Sequence, residues 1–310
     1  MVESLDSGSF EENLGHLLIY HALRDGNEID YLDIINRNWA QLDPTGKAAE
    51  ILRRNECGEG LPVPDDIVFS VSSINTYNKC PRMYELQVVL GMPTRDMEKP
   101  DSAMNIGSFV HKAAEVAVRQ GISTREELDD IVVSLIKEDK WKWVDTELAK
   151  PLLDVFWARN RDTINNNLMV EKKFTVPLGE HQFKGFIDRI DLIPGTDNEV
   201  EIIDYKTGNE PAPDERARQL LLYAHGFRHL YPEYTVRRLK LELLSKEKPR
   251  VYELEGNEYK GASRVAPLDN NVLSEMEEIA GRIIHDHRFG FGKVEDEREC
   301  RTCGYRLYCG

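Results

Sequence analysis

The segment KGFIDRIDLIPGTDNEVEIIDYK, residues 184–206, decides the fold that we predict for this chain. Apolar residues flank the turn formers at 194–198, which predicts two antiparallel strands joined by a tight turn. A hairpin centred on Thr196 places Asp188 opposite Asp204, and the strand period of two brings Lys206 to the same face. Like charges that face each other destabilise a sheet. The pair of acids therefore indicates a site for a divalent cation.

The composition is that of an ordinary globular chain, with 310 residues, 41% hydrophobic and 31% charged. No run of 18 apolar residues occurs, and the acidic N-terminus is unlike a secretory signal. We therefore expect no membrane contact and a cytoplasmic, intracellular location. A net charge of -15 argues against a general binder of polyanions, although a local basic groove remains open. Its candidate residues, which are equally well explained as solvated surface charges, are Lys172, Lys173, Lys184, Arg216, Arg218, Arg237, Arg238 and Lys240.

Two parts follow one another along the chain. Residues 1–66 show helical periodicity that ends in a Gly- and Pro-rich linker, and we expect a helical appendage there. Residues 67–310 predict helices, a strand, the hairpin, a helix, two strands and a last helix, which is typical of an α/β fold. Trp141, Trp143 and Trp157 fall in a helical region, where core packing is a more ordinary role than base stacking.

Four short motifs occur in a fixed order in the second part: GSFVH (107–111), GFID (185–188), DYK (204–206) and QLLLY (219–223). They resemble the GxxxH, GxxD, D/ExK and QxxxY motifs of the RecB-type branch of the PD-(D/E)xK nuclease superfamily. That branch includes the nuclease domains of AddB-like and UvrD-like helicase–nucleases and CRISPR-associated spacer-acquisition nucleases. The resemblance covers residues 69–309 and implies a restriction-endonuclease-like mixed central sheet flanked by helices. Ile187 stands where many superfamily members have proline.

The chemistry of such an enzyme requires a bound cation. Phosphodiester hydrolysis needs an activated water and neutralisation of charge on the phosphate, both of which a divalent ion supplies. Oxygen ligands from Asp188 and Asp204 suit Mg²⁺, and His111 adds a softer donor that also suits Mn²⁺. The resemblance adds the backbone carbonyl of Tyr205 as a further ligand. Glu171, on the preceding strand, is expected to act only as a supporting partner.

The remaining motif residues receive their roles from the resemblance. Lys206 would orient the attacking water or stabilise the negative charge that develops on the phosphate. Gln219 and Tyr223 lie at i and i+4 on one helix face. They would support Lys206 or hold the DNA backbone.

The cysteines predict a second metal site. Cys300, Cys303 and Cys309 supply three soft ligands near the C-terminus, and Cys80, followed by proline, matches a segment of iron–sulfur members of the superfamily. Four thiolates suit either a [4Fe–4S] cluster or Zn²⁺, and spacing alone leaves the two open. The resemblance implies a structural [4Fe–4S] cluster that closes the domain and stabilises it. Cys57 is expected to be a free thiol.

These features together predict a metal-dependent DNA nuclease, an exonuclease on single-stranded DNA or duplex ends in DNA repair, recombination or CRISPR adaptation. A helicase or other repair or CRISPR proteins would be partners, since nothing here resembles a Walker A loop. One alternative is a DNA-end-binding or docking module of a helicase–nuclease complex with little cleavage of its own. Another, an iron–sulfur electron carrier, leaves Asp188, Asp204 and Lys206 without a role.

Overall fold

The computed structural model describes residues 67–89, 103–262, 265–294, 300–301 and 303–305. The predicted helical appendage and linker at 1–66 lie outside the described residues. The described chain divides into two compact units. We call residues 68–71 and 103–277 the sheet unit, and the other described residues the terminal unit.

A mixed sheet, with seven strands in the described ranges, forms the centre of the sheet unit. The strands are β1 (Val68–Phe69), β2 (Asn167–Leu178), β3 (His181–Leu192), β4 (Glu199–Lys206), β5 (Thr235–Leu243), β6 (Arg250–Glu255) and β7 (Glu258–Gly261). Their order is β1-β3-β4-β5-β6-β7, and β2 pairs with β3. The pairs β1–β3 and β4–β5 are parallel and the others antiparallel. The predicted α/β class with a mixed central sheet is confirmed.

The hairpin of β3 and β4 has the predicted register. Ile190 pairs with Ile202, the arrangement that a turn centred on Thr196 requires. Gly195 adopts a φ of 82°, a left-handed conformation that glycine enters without steric penalty. The Thr196 backbone N–H and hydroxyl both donate to the Ile193 carbonyl, at 3.1 and 2.8 Å. The turn therefore fixes which residues of the two strands face each other.

The two strands separate at the residues that carry the acids. Their pairing ends at Arg189 and Ile203, one step before Asp188 and Asp204 would meet. Because β2 follows one edge of β3 along its length, β4 and β1 share the other edge, with β1 pairing near Phe183. The departure of β4 from β3 leaves an opening in the sheet beside both acids.

Besides a π-helix (Glu85–Val89) and a 3-10 helix (Ile164–Asn166), seven α-helices are delimited in the described part of the chain, where no helix is both long and apolar enough to cross a membrane. They are α1 (Val71–Lys79), α2 (Pro81–Tyr84), α3 (Ala103–Gln120), α4 (Arg125–Leu135), α5 (Thr146–Asn160), α6 (Pro213–Leu230) and α7 (Asn271–Phe289). The region 122–168, predicted as helical, is interrupted by turns at 136–143, and β2 begins within it. Thr124 and Asp145 cap the two helices of this region. Trp141 is buried as predicted, whereas Trp143 is exposed, so its core assignment is wrong.

Helices cover both faces of the sheet near β4. Ile203 and Tyr205 belong to one apolar core with α3, α4 and α5. Since successive strand residues point to opposite faces, Asp204 and Lys206 face the other side, where α6 contacts β2 to β5. Side chains at the end of β4 therefore point alternately to the layer of α3, α4 and α5 and to the opposite layer, which α6 forms.

Several of the basic residues that the sequence suggested for a local groove form ion pairs within the sheet unit. Arg216 is buried beside Glu210, and Lys240 lies 2.6 Å from the buried carboxylate of Glu242. Arg238 pairs with acids on the neighbouring strands β4 and β6. These three side chains thus have acidic partners within the sheet unit, and the basic groove stays a prediction.

In the terminal unit, aromatic rings pack next to the helix that follows Cys80. The Tyr84 ring lies 5.7 Å from that of Phe291, and the His287 ring lies 5.1 Å from Phe291. The Arg82 backbone N–H donates to the Gly292 carbonyl at 2.9 Å. The chain after α7 therefore runs beside the chain after Cys80.

Gly185, the first residue of the GFID motif, leaves room for the ring of Phe174 on the neighbouring strand β2. A Cβ atom at this position would lie 2.4 Å from Phe174 Cζ and 3.1 Å from Tyr223 Cε1. The buried Phe174 ring in turn packs edge-on against Tyr223, with centroids 6.0 Å apart. The glycine is thus needed for the close packing that holds Tyr223 of the QLLLY motif.

We predict that Gly185→Ala lowers the free energy of unfolding by about 1–3 kcal/mol, because the added methyl overpacks the Phe174 ring. The double variant with Gly185→Ala and Phe174→Leu should lose less free energy of unfolding than the two single variants lose together. Urea unfolding measures both. Gly208→Ala is the matched control, since a Cβ there meets nothing within 4 Å. An effect of Gly185→Ala no larger than that of the control would contradict the packing argument.

Candidate active site

Asp204 is the most buried acid of the site, with 1% of its surface exposed. Its Oδ1 accepts a hydrogen bond from Gln219 Nε2 at 2.9 Å, and its Oδ2 lies 2.9 Å from Lys206 Nζ. The same Gln219 amide donates to the Tyr223 hydroxyl at 2.9 Å. The structure thus brings together the DYK and QLLLY motifs, whose side chains meet on the α6 face of the sheet.

Asp188 occupies the point where β3 and β4 separate. Its Oδ2 accepts the Tyr205 backbone N–H at 2.7 Å. An unpaired backbone N–H in this buried position would be costly. The side chain therefore supplies the acceptor that a paired β3 carbonyl would otherwise provide. Asp188 is thus linked to Asp204 through the backbone N–H of Tyr205, the residue that follows Asp204.

His111 reaches the site from α3, on the other helical layer. Its Nδ1 lies 3.5 Å from Asp188 Oδ2, and its ring packs edge-on to Tyr205. Gly107, one turn earlier, allows the approach, because a Cβ there would lie 2.8 Å from Thr207 Oγ1. The glycine and the histidine of the GSFVH motif therefore have distinct tasks, close packing for the glycine and contact with the acid for the histidine.

Burial and charge set the protonation of these groups. Burial raises the pKa of Asp204 to about 6, with the Asp188 charge adding to the effect and Lys206 opposing it. Burial alone would lower the pKa of Lys206, but the neighbouring carboxylates outweigh it, so the pKa is raised. The pKa of His111 is raised in the same way, since the contact with Asp188 outweighs burial. The acids thus hold Lys206 and His111 in their charged forms more firmly.

A cleft of about 480 Å³ opens beside Asp188 and His111. Its wall also includes Glu171, Lys140 and Trp141. Acidic and basic side chains both line it, so the cleft is polar, and it has room for a phosphate group with part of a nucleotide. Asp188 of the hairpin is therefore reached from solvent through a formed cleft.

Glu171 is a site residue whose importance sequence reasoning missed. Val170 pairs with Arg189 and Lys172 with Ile187, so the register places Glu171 across from Asp188. Its φ of 52° is left-handed, and among described residues other than glycine it alone has a positive φ. Such strain persists where surrounding structure enforces it, and it clusters at functional sites. Burial and the Asp188 charge raise the pKa of Glu171. The strand pattern indicated its position, but nothing in the sequence indicated its backbone.

The donors at this junction fit a hard divalent cation. Two carboxylates and an imidazole suit Mg²⁺ or Mn²⁺. Asp204 Oδ2 is buried, and its ion pair with Lys206 lacks the angles of a hydrogen bond, so a cation would stabilise that oxygen. Across the described ranges, however, no three His, Cys, Asp or Glu side chains have the arrangement of a metal-binding cluster. The predicted ligands His111, Asp188, Asp204 and Tyr205 therefore remain a prediction.

Three of the four predicted cluster cysteines, Cys80, Cys300 and Cys303, belong to the terminal unit and are free thiols. Cys300 and Cys303 are joined by a backbone hydrogen bond of 3.4 Å. The predicted fourth ligand, Cys309, and the predicted free thiol, Cys57, lie outside the described residues. Free thiols in one unit are suitable ligands for a soft metal, but the ligand set stays a prediction.

Comparison with known proteins decides the family. The profile of the PD-(D/E)XK nuclease superfamily matches residues 68–310. The chain belongs to this superfamily. The match includes all four motifs and both compact units as far as they are described, and it agrees with the mixed sheet and its helices.

Two curated relatives, from Thermoanaerobacter sp. strain X514 and Thermoanaerobacter pseudethanolicus, are each named as one component of an ATP-dependent helicase/deoxyribonuclease. Each is 25% identical in an alignment 184 residues long, and the match covers 47% of this chain and 16% of the relative. The chain thus spans a small part of these relatives. A solved structure of a candidate exonuclease from Eubacterium rectale is 14% identical, covers 76% of this chain and 88% of its own, and has a TM-score of 0.43.

The raised pKa of Asp204 predicts a pH-dependent stability difference in metal-free protein. A carboxyl with a higher pKa in the folded chain loses stability as pH rises from its unfolded value near 4 through its folded value. In EDTA, the free energy of unfolding of Asp204→Asn minus that of the wild type should therefore rise by about 1–3 kcal/mol between pH 4 and pH 7. Urea unfolding at four pH values gives this difference.

Asp162→Asn is the matched control for that experiment, because the Asp162 side chain is 87% exposed. Its stability relative to the wild type should change little over the same pH range. A flat profile for Asp204→Asn would show that the buried carboxyl does not titrate as its surroundings require.

Proposed function

We propose that this superfamily member is a metal-dependent deoxyribonuclease, and specifically an exonuclease that hydrolyses single strands or duplex ends. The observation that carries the proposal is the junction of β3 and β4, where Asp188 lines an open cleft and is linked through the Tyr205 backbone to the Asp204–Lys206 pair. The names of the helicase/deoxyribonuclease relatives support DNA as the substrate. Such a substrate also agrees with the expected intracellular location.

Mg²⁺ or Mn²⁺ held by His111, Asp188, Asp204 and the Tyr205 carbonyl would neutralise phosphate charge and make a bound water more acidic. Lys206 remains a protonated donor because the neighbouring carboxylates raise its pKa. Its ammonium group, partly exposed, would donate to a phosphate oxygen or orient the attacking water.

Gln219 and Tyr223 are proposed as positioning residues. The Gln219 amide bridges Asp204 Oδ1 and the Tyr223 hydroxyl, so it fixes the rotamer of the acid. Tyr223 is buried, and burial raises its pKa, so the phenol stays protonated. This burial favours support of the acid over contact with the DNA backbone.

The terminal unit is proposed to hold a structural [4Fe–4S] cluster through Cys80, Cys300, Cys303 and Cys309. The supporting observation is that the chain after α7 hydrogen-bonds to the chain after Cys80. A cluster would join these two segments covalently and add its binding free energy to that of folding. Zn²⁺ is the alternative occupant of the same thiolates.

A helicase is the partner that the helicase/deoxyribonuclease relatives suggest. The chain matches 16% of each relative, which is the proportion expected of one module within a longer machine. A module that binds DNA ends with little cleavage is the second candidate function. The cleavage experiment below distinguishes the two.

We predict that Asp204→Ala and Lys206→Ala each reduce DNA cleavage in Mg²⁺ or Mn²⁺ by at least roughly 100-fold, because each removes a charge that acts on the reacting phosphate. End-labelled single-stranded and duplex DNA, followed by gel electrophoresis, measures the rates. Release of single nucleotides from an end identifies the exonuclease.

The matched control is Lys260→Ala on β7, whose partner is the exposed Glu255. It should cleave at the wild-type rate. Undiminished cleavage by both active-site variants would refute the assignment. Binding of DNA ends without turnover in either metal would favour the docking module.

For the cluster, we predict that purified protein contains about four iron atoms and four sulfides per chain, and that Cys80→Ser loses them. Cys57→Ser is the matched control and should retain the iron. Metal analysis and visible absorbance report the content. Stoichiometric zinc without iron would replace the proposed cluster with a zinc site, and absence of both metals from anaerobically purified protein would contradict any cysteine-bound metal.

A further inference from the structure

Trp143 is a large aromatic side chain held in an exposed position. Its surface is 71% exposed, although it lies between two helices that bury most of their apolar residues. The turn that carries it is ordered by backbone hydrogen bonds. The Trp141 and Lys142 N–H groups both donate to the Glu138 carbonyl, at 3.0 and 3.1 Å, and Val144 N–H donates to the Trp141 carbonyl at 3.0 Å. An indole ring is thus presented to solvent on a defined backbone.

The same turn forms part of the active-site cleft. Lys140 and Trp141 line the cleft together with His111 and Asp188. Trp141 is 4% exposed and packs edge-on against Phe109 of α3, which anchors the turn to the core. Two extended residues span at most about 7 Å, so the backbone of Trp143 lies within that distance of the Trp141 backbone.

Two lysines accompany the ring. Lys142 Nζ lies 5.7 Å from the centre of the Trp143 ring, and Lys140 Nζ lies 4.3 Å from that of Trp141. Lys142 also pairs with the fully exposed Asp139 at 3.1 Å, a contact that solvent screens. Trp143 remains 71% exposed with Lys142 beside it, so much of the ring surface is open to a flat partner.

Single exposed apolar residues are common on protein surfaces and need no functional explanation by themselves. Trp143 differs because its turn reaches the cleft that Asp188 and His111 line, and because the Lys142 ammonium group lies beside its ring. Exposed aromatic rings combined with cations are the means by which proteins hold single-stranded nucleic acid. Phe289 provides a comparison: it is 74% exposed, and its ring lies 4.5 Å from that of His285 at a tilt of 36°.

We propose that Trp143 stacks on an unpaired nucleobase of a DNA strand that enters the cleft, and so makes single-stranded DNA the preferred substrate. The inference rests on the proposed nuclease function and specifies its substrate. A base inside a duplex already has neighbours on both faces, so a duplex offers the ring only the outer faces of its terminal base pairs, whereas every base of a single strand can stack on it. Lys140 and Lys142 contact the phosphates that flank the stacked base.

The first experiment measures binding by fluorescence anisotropy, with labelled oligothymidylate and a blunt duplex of equal length, in EDTA so that no cleavage occurs. Trp143→Ala should weaken binding of the single strand roughly 5- to 20-fold, within the range of base–aromatic stacking, and duplex binding less than twofold. Trp143→Phe should restore most of the affinity, because a phenyl ring also stacks. Phe289→Leu, the matched aromatic control, should bind both DNAs as the wild type does.

Salt dependence distinguishes stacking from charge. The Trp143→Ala variant should keep the wild-type slope of log affinity against log salt, since no charge is removed. Lys142→Gln should make that slope shallower. A change of slope in Trp143→Ala, or an equal loss for both DNAs, would overturn the stacking proposal.

Cleavage rates on the same DNAs, with Mg²⁺ or Mn²⁺ restored, separate this proposal from the proposed function. The expected result is a 5- to 20-fold lower kcat/KM of Trp143→Ala on single strands and a less than twofold lower value on duplex ends. If the wild type cleaves DNA and Trp143→Ala matches it in binding and cleavage of single strands, the stacking proposal fails while the nuclease assignment stands. If the wild type cleaves neither DNA but Trp143→Ala loses single-strand affinity, the nuclease assignment fails and the stacking contact is supported.

Discussion

The hydrogen bond from the Tyr205 backbone to the Asp188 carboxylate is the interaction on which the rest of the site depends. Strands β3 and β4 stop pairing at Arg189 and Ile203, which would leave a buried N–H without an acceptor. The Asp188 side chain accepts it and so fixes the carboxylate beside Asp204. The strands can therefore separate at this point without losing a buried hydrogen bond, and Asp188 at this point also lines the cleft.

The two acids are then held by elements from both sides of the sheet. Gln219 on α6 fixes Asp204, while His111 on α3 approaches Asp188. Lys206 partly offsets the cost of burying Asp204, whose pKa nevertheless rises to about 6. In the absence of a cation this is an unfavourable place for negative charge. The proposed metal ion would offset the free-energy cost of the buried Asp204 charge. The same buried carboxylate would therefore destabilise the metal-free protein and bind the catalytic ion.

Local rules of sequence predicted much of this arrangement, whereas contacts between distant segments escaped them. The turn chemistry of 194–198 gave the correct pairing of Ile190 with Ile202, because register follows from the turn. Helical spacing gave the shared face of Gln219 and Tyr223. The left-handed backbone of Glu171 could not be predicted, since it occurs within β2, where the chain pairs with β3 on both sides of this residue. The apolar spacing of residues 122–168 predicts a core position for Trp143, because this spacing does not reveal that the helix ends before the turns at 136–143.

Direct titration of the metal-free protein with Mn²⁺ by calorimetry tests the central claim, that the separated strands form a cation site between Asp188 and Asp204. The account predicts binding that strengthens as pH rises from 5 to 7, because Asp204 must lose its proton, and that disappears in Asp188→Asn and Asp204→Asn. Asp162→Asn should bind as the wild type does. Binding that persists unchanged in both active-site variants, or is absent from the wild type, would contradict the account.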